Sequence, residues 1–345
     1  VALLIRKRDF EIAETGISLV ERVRLGGIDQ FILMQAENPG SPVLLLLHGG
    51  PSMPLPGGSA KGQDYTIVMN TGLLVKHFVV VFWDQRGTGK SYSSQISQDS
   101  MNIEQYIADA GELTDYLRRR FRQNKIFLAG HSWGTTIGLS LAARFPEKFY
   151  AYTGFSQMVS WTENDRLSLA WLKNEAKRRG NNKAVKELES IGQPPFTESF
   201  KQWAVLRSWQ RNFNTLIYSD AQIKHPGFMR IIKDMLRSET YTLTDIFNSF
   251  YKGFKLAYYQ RFIEQLDHYN FMESLEEIHL PVVFIHGVYD YQVHGSLVKQ
   301  FYEKLHAPSK KMIWASKSGH AFHPDDTALN EQYLIQQLSY MEEPS

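Results

Sequence analysis

The chain contains no cysteine. That excludes disulfides, thiol catalysis and zinc–thiolate sites, and it leaves the compartment open, because a reducing cytosol and a cysteine-free exported protein both fit. Also missing is any run of about 18 apolar residues, so nothing in the chain reads as a membrane-spanning helix. No charge sign dominates: 38 basic residues against 36 acidic ones give a net +2. With that balance and no basic patch interleaved with aromatics, a nucleic-acid partner is excluded. Repeats and low-complexity tracts are absent as well. What remains is 345 residues of ordinary globular composition, enough for one large domain or for a core carrying an insertion.

The first residues read Val-Ala-Leu-Leu-Ile and then Arg6-Lys7-Arg8. An apolar stub against a basic cluster fits the tail of a membrane anchor or signal segment upstream of Val1, and equally a frayed end, which is the simpler reading. The expected location is cytoplasmic, or membrane-associated if such an anchor precedes the chain. The sequence does not speak to oligomeric state.

Strand-like runs occur at 20–25, 30–36, 43–47, 78–83, 125–129, 150–155, 281–286 and 311–315. Gly26-Gly27 between the first two reads as a hairpin turn. Residues 43–47 and 78–83 are apolar throughout, as in strands buried on both faces of a parallel sheet. Helical patterns alternate with the later strands. One follows Asn102, a capping residue before Ile103, Tyr106, Ile107, Ala110, Leu113 and Leu117 on one face. Others span 135–144, 296–305 and 327–340. The pattern predicts an α/β fold: a mostly parallel, doubly wound sheet of about eight strands, opened by an antiparallel pair. Between 156 and 271 the strand-like runs stop and long helical patterns take over, at 162–179, 197–218 and 243–266. The expected organisation is therefore core at 1–155, a helical cap inserted at 156–271, and core again at 272–345.

Gly130-His131-Ser132-Trp133-Gly134 lies between the strand at 125–129 and the helix at 135–144. A serine on such a strand-to-helix turn is strained and has its hydroxyl exposed, while the helix N-terminus offers free N–H groups to a developing oxyanion. A serine hydroxyl is a weak nucleophile without a base and an orienting acid. Asp290 follows the strand at 281–286 and His320 follows the strand at 311–315, in the chain order that such a fold requires. Ser132, Asp290 and His320 are accordingly the expected catalytic set, with His323 as the alternative base. The backbone N–H of Trp133 and that of Gly50 or Gly49, in the loop His48-Gly49-Gly50-Pro51, are the expected oxyanion donors. His48, His131 and His286 read as packing or hydrogen-bonding groups. His320, His323, Asp325 and Asp326 do not meet a metal-ligand spacing, and neither metal nor cofactor is expected. Gly87-Thr88-Gly89-Lys90-Ser91 looks like the end of a phosphate-binding loop, but Asp84 stands where that motif needs its first glycine.

Taken together, His48–Pro51, Asp84–Ser91, Gly130–Gly134, Asp290 and Ser318-Gly319-His320 resemble the proline iminopeptidase branch of the α/β-hydrolases. The resemblance covers nearly all of the predicted core. It implies the same nucleophile, acid and base, a helical cap over the site, and a largely structural role for Asp84 and Arg86 near the site floor. Three departures stand out. His131 replaces a glycine, Ser52 follows Pro51 where glycine is usual, and Gln210 follows Trp209 where the family's cap carries a glutamate that holds the substrate's α-amine. An uncharged Gln210 forgoes a charge-assisted contact typically worth about 1.5–3 kcal/mol; Glu163, Glu175 and Glu198 are the alternatives. The expected function is hydrolysis of an acyl bond through an acyl-enzyme, most simply by an aminopeptidase acting on small N-terminal residues. The substrate would be a small molecule or short peptide. A carboxylesterase is the competing reading within the class, and a non-catalytic ligand-binding module the competing reading outside it.

Overall fold

The computed structural model describes residues 10–52, 71–213, 235, 236, 238 and 240–342. Eight strands are present: β1 (Ile17–Leu25), β2 (Ile28–Ala36), β3 (Val43–Leu47), β4 (Val79–Asp84), β5 (Ile126–His131), β6 (Phe149–Phe155), β7 (Val282–Gly287) and β8 (Lys310–Ala315). They form one sheet in the order β1-β2-β4-β3-β5-β6-β7-β8. β1 and β2 are antiparallel, as are β2 and β4, and every later pairing is parallel. The β1–β2 turn is the Gly26-Gly27 pair, with φ of +51° and +78°, the sign that a two-residue hairpin demands.

Successive side chains of a strand point to opposite faces, so a strand buried on both sides feeds two cores. Val43, Leu45 and Leu47 of β3 enter one apolar cluster, and Leu44 and Leu46 enter the other. On the first face lie α1 (Ile103–Arg120), capped by the Asn102 side chain accepting from the Gln105 N–H at 2.9 Å, and α2 (Trp133–Arg144). The strand order reverses direction at β3 and β5. In open α/β sheets such a switch point opens a crevice at the strands' C-terminal ends.

Between β6 and β7 the described residues form helices: α3 (Trp161–Arg178), α4 (Asn182–Ser190), α5 (Phe200–Asn212), α6 (243–257) and α7 (Gln260–Asp267). An antiparallel bridge between Ser160 and Asn270, with the Phe271 N–H donating to Val159 at 2.8 Å, draws entry and exit of this segment together. The continuous helix expected over 243–266 is broken. α6 runs from Leu243–Phe247 through a π-helical stretch, Asn248–Gly253, into Phe254–Ala257, and Tyr258 and Tyr259 are extended. The Tyr258 ring is held against Phe254, Trp203 and Phe262, a packing gain that outweighs local helix preference. Part of the pattern at 197–218 lies outside the described residues. The core closes with α8 (Gly295–Lys304) and α9 (Pro324–Gln336).

The Asp84–Ser91 loop is tied on both sides. Arg86 makes a buried two-pronged pair with Asp109, at 2.8 and 3.0 Å, and donates to the Gly26 carbonyl at 2.8 Å. This arrangement binds the hairpin to α1, and removing either partner would strand a buried charge. Asp84 accepts from the Lys90 N–H at 2.9 Å and from the Tyr241 hydroxyl, while Lys90 Nζ meets Asp245 of α6 at 2.9 Å. Burial pushes the Asp84 carboxyl up to about 7, against the downward pull of Tyr241 and Lys90. Between the unfolded value of 3.8 and about 7, the folded state keeps a proton that the unfolded chain has released. Stability therefore falls as pH rises through that window, by ~4 kcal/mol at most. Asp84→Asn removes this penalty. In denaturant titrations the variant is expected to gain stability relative to the parent between pH 5 and pH 8; a pH-independent difference would refute the assignment.

Candidate active site

Ser132 follows β5 at φ 53°, ψ −118° and caps α2. A non-glycine residue there carries strain of order 1–3 kcal/mol and needs its surroundings to hold it. The Ser132 N–H donates to the Phe155 carbonyl at 3.0 Å, and the Ser132 carbonyl accepts from the Thr135 N–H at 2.9 Å. The flanking glycines are required by contact rather than by φ. A Cβ on Gly130 would lie 2.6 Å from the Gly134 oxygen, and one on Gly134 would lie 2.3 Å from the Leu47 oxygen. Lacking both, α2 folds back against β5 and slides over the end of β3.

That close approach brings the loop after β3 to Ser132. A Cβ on Gly49 would stand 3.4 Å from the Ser132 Cβ and 3.3 Å from His131 Nδ1. Gly50 has φ +125°, open to glycine alone among the common residues. Trp133 occupies the first position of α2, where a backbone N–H has no intrahelical acceptor. Its indole donates to Gln85 at 2.9 Å, the Gln85 amide donates to the His48 carbonyl at 3.0 Å, and the Gln85 N–H donates to His48 Nε2 at 3.2 Å. His48 is fully enclosed, and burial lowers its pKa to about 4, so it is a neutral tie between the Gly49 loop and the Asp84–Ser91 loop.

β7 and β8 pair so that Gly287 faces Ala315, and the loops that follow them meet. His320 Nδ1 lies 2.9 Å from Asp290 Oδ2. The same oxygen accepts from the Ser156 hydroxyl at 2.7 Å, and Oδ1 accepts from the N–H groups of Gln292 and Val293 at 2.9 and 2.8 Å. Burial pushes the Asp290 carboxyl up, but the charge and hydrogen bond of His320, with the His286 ring and the Val293 N–H, hold it well below the usual carboxylate range. His131 brings His320 to the Ser132 turn. Its ring centroid stands 4.7 Å from that of His320, and its Nε2 meets the His320 carbonyl at 3.1 Å. Burial, then the neighbouring His320, lowers His131 to about 3; burial likewise lowers His286, and His294 to about 4. These three rings are neutral at pH 7. Among the described residues no hydrogen bond joins Ser132 Oγ to His320 Nε2. Such contacts are often long in unliganded sites.

His323 stands elsewhere: it caps α9, its Nδ1 accepting from the Asp325 N–H at 3.1 Å, while Asp326 accepts from the Ser318 hydroxyl at 2.6 Å. Trp209 and Gln210 lie on α5, within the helical segment. The Trp209 indole donates to Glu187 at 2.9 Å; the Gln210 amide donates to Ser168 at 3.1 Å and accepts from Arg207 at 2.9 Å. Arg207 also pairs with buried Asp165 at 2.6 Å. Glu163 pairs with Arg166, Glu175 with Arg178 and Arg179, and Glu198 accepts from Gln202 at 3.2 Å. Sequence reasoning passed over Ser156, whose φ is +49°, although part of the signal that pointed to Asp290, a polar residue at the C-terminal end of a strand, applies to it as well.

A family model described as alpha/beta hydrolase fold matches residues 42–327. The chain is 29% identical over 321 residues to the probable aminopeptidase YbaC of Bacillus subtilis (strain 168), covering 91% of this chain and 94% of that one. It is 30% identical over 126 residues to a proline iminopeptidase of Saccharolobus solfataricus, covering 36% of each chain. Among solved structures it is similar to a proline iminopeptidase-related protein from Thermus thermophilus, with a TM-score of 0.61 at 17% identity, covering 94% of this chain and 98% of that one. At that identity the likeness concerns the fold.

Proposed function

The chain belongs to the α/β-hydrolase fold family and is an enzyme similar to its proline iminopeptidase branch, and on that premise we propose that it is a serine aminopeptidase releasing small N-terminal residues. Residues 156–271 form its cap. Ser132 Oγ attacks the acyl carbon and its proton passes to His320 Nε2. The oxyanion is stabilised by the N–H groups of Trp133 and of Gly50 or Gly49. His320 then hands the proton to the leaving amine, the C–N bond breaks, and Ser132 carries the acyl group. Water attacks next, giving its proton to His320, and the acid departs as Ser132 takes the proton back. Asp290 keeps the His320 ring in the tautomer with hydrogen on Nδ1 and offsets the imidazolium charge. The observation that carries this reading is the strained turn of Ser132 with His320 packed against its neighbour His131, and with His320 bonded at 2.9 Å to an Asp290 that accepts four hydrogen bonds.

A second reading, an esterase, is favoured by the state of Gln210. It is uncharged and held by Arg207 and Ser168, and the carboxylates named above have partners of their own. The two readings separate when a prolyl or alanyl anilide and a short-chain nitrophenyl ester are assayed side by side. Anilide turnover is expected. Turnover of the ester alone would sink the aminopeptidase reading and keep the serine hydrolase.

A further inference from the structure

Helix α6 is amphipathic the wrong way round. The face it turns to the core is polar or small: Asp245, Asn248, Ser249, Gly253 and Ala257 are buried. A Cβ on Gly253 would lie 2.2 Å from the Gly87 carbonyl, so the helix backbone rests directly on the Asp84–Ser91 loop. The face it turns outward carries Leu243, Phe247, Tyr251 and Phe254, exposed by 74%, 49%, 48% and 45%. Spacings of four, four and three place these side chains on one side of a helix, and the Phe247 and Tyr251 rings stack at 5.0 Å. Scattered surface apolar residues need no explanation, but a contiguous aromatic face marks an interaction site.

The charges around that face specify the occupant. Lys255 Nζ lies 4.4 Å from the Tyr251 ring centroid and donates to its hydroxyl at 2.8 Å; Lys252 Nζ stands 5.7 Å from the Phe247 ring and 5.5 Å from that of Tyr92. Both lysines are exposed, residues 246–257 contain no acidic side chain, and Asp245 is turned inward onto Lys90. Rings flanked by lysines whose stems run along them match a lipid interface, where aromatic edges sit at headgroup depth and ammonium groups reach the phosphates. We propose that the outward face of α6 docks on the surface of an anionic lipid bilayer. The helix lies in the plane of the interface and does not span it. Its rings continue inward through Phe254, Tyr258 and Phe262 to Trp133, with centroids 4.4, 6.4 and 5.3 Å apart, so the docked face adjoins the apolar wall leading to the residue after Ser132.

The test is co-sedimentation of the full chain with vesicles of equal parts phosphatidylglycerol and phosphatidylcholine, and with vesicles of phosphatidylcholine alone, at low and high salt. Binding to the anionic vesicles, weakened by salt, is expected. Lys252→Gln with Lys255→Gln is expected to lower the partition coefficient on anionic vesicles roughly 30-fold. Phe247→Ser made together with Leu243→Ser, both outward-facing, is expected to lower it at least about tenfold, with thermal unfolding and hydrolysis of a soluble substrate unchanged. Should this phenylalanine variant unfold, the lysine pair decides alone. The proposal is overturned if the parent ignores anionic vesicles, or if folded variants bind like the parent. It is overturned equally if sedimentation equilibrium finds a parent dimer that the phenylalanine variant dissociates, which would give the face to a second copy of the chain.

Discussion

Ser132→Ala is expected to lower kcat by about six orders of magnitude, to the level left by binding and oxyanion stabilisation alone. The same variant should lose labelling by a fluorophosphonate probe, which the parent should take up at one site. The size follows from the mechanism: with Oγ gone no acyl-enzyme forms, and water must attack an unactivated carbonyl directly. Folding should survive. Alanine adopts the φ of 53° no more easily than serine, but the bonds that hold the turn, from Ser132 N–H to Phe155 and from Thr135 N–H to the Ser132 carbonyl, are backbone bonds that the variant keeps. If the variant retained anilide and ester hydrolysis, the triad reading would fail. Were the parent not to label, while remaining folded, the assignment of Ser132 as an activated nucleophile would fail.

Asp290→Asn is expected to cost about 10⁴-fold in kcat with KM little changed. Asp290 is acceptor only, and four donors converge on it: His320 Nδ1, the Ser156 hydroxyl, and the N–H groups of Gln292 and Val293. An asparagine must turn its NH₂ toward one pair of these donors. If it turns toward Oδ2's partners it forces His320 into the opposite tautomer, with no lone pair left on Nε2 for the Ser132 proton. Stability should respond to pH as well. A carboxyl held below its unfolded value contributes stability above that value and loses it as pH falls through the folded one. The parent's advantage over Asp290→Asn should thus be full at pH 7 and shrink below pH 4. This is opposite in sign to Asp84, whose burial raises its pKa to about 7 and costs stability as pH climbs. Denaturant titrations of both variants across pH 2 to 8 would test the two signs together. An Asp290→Asn enzyme with near-parental kcat would instead demand a different orienting acid for His320.

The sheet and most of its elements were legible without coordinates, because their signals are local. β3 and β4 are apolar on both faces, Asn102 caps a helix with a clear stripe, and Gly26-Gly27 can close a two-residue turn. The helical segment was legible as a change of character but not in its details. The break at Tyr258 depends on contacts with Phe254, Trp203 and Phe262, and Trp203 lies more than fifty positions away in the chain. Gln210 illustrates the same limit: the residue type could be read, whereas its bonds to Ser168 and Arg207 come from how α3 and α5 pack.

By itself the sequence determined the alphabet of the chemistry. The turn holding Ser132, the loops bearing Asp290 and His320, and the glycines after β3 each follow a strand, and strand-end positions are a property of local pattern. Only the tertiary structure decided which of these loops meet. The order β4-β3-β5 sets Gly49 beside Ser132, the β7–β8 pairing brings Asp290 to His320, and β6 delivers Ser156 to the same carboxylate. Strand order and register arise from which apolar faces bury one another across the whole sheet, a comparison among distant segments that no local window contains. The outward aromatic face of α6 is the converse case. Its spacing was present in the sequence, but a helix with an apolar stripe is expected to turn that stripe inward. The backbone contact of Gly253 with Gly87 turned it out.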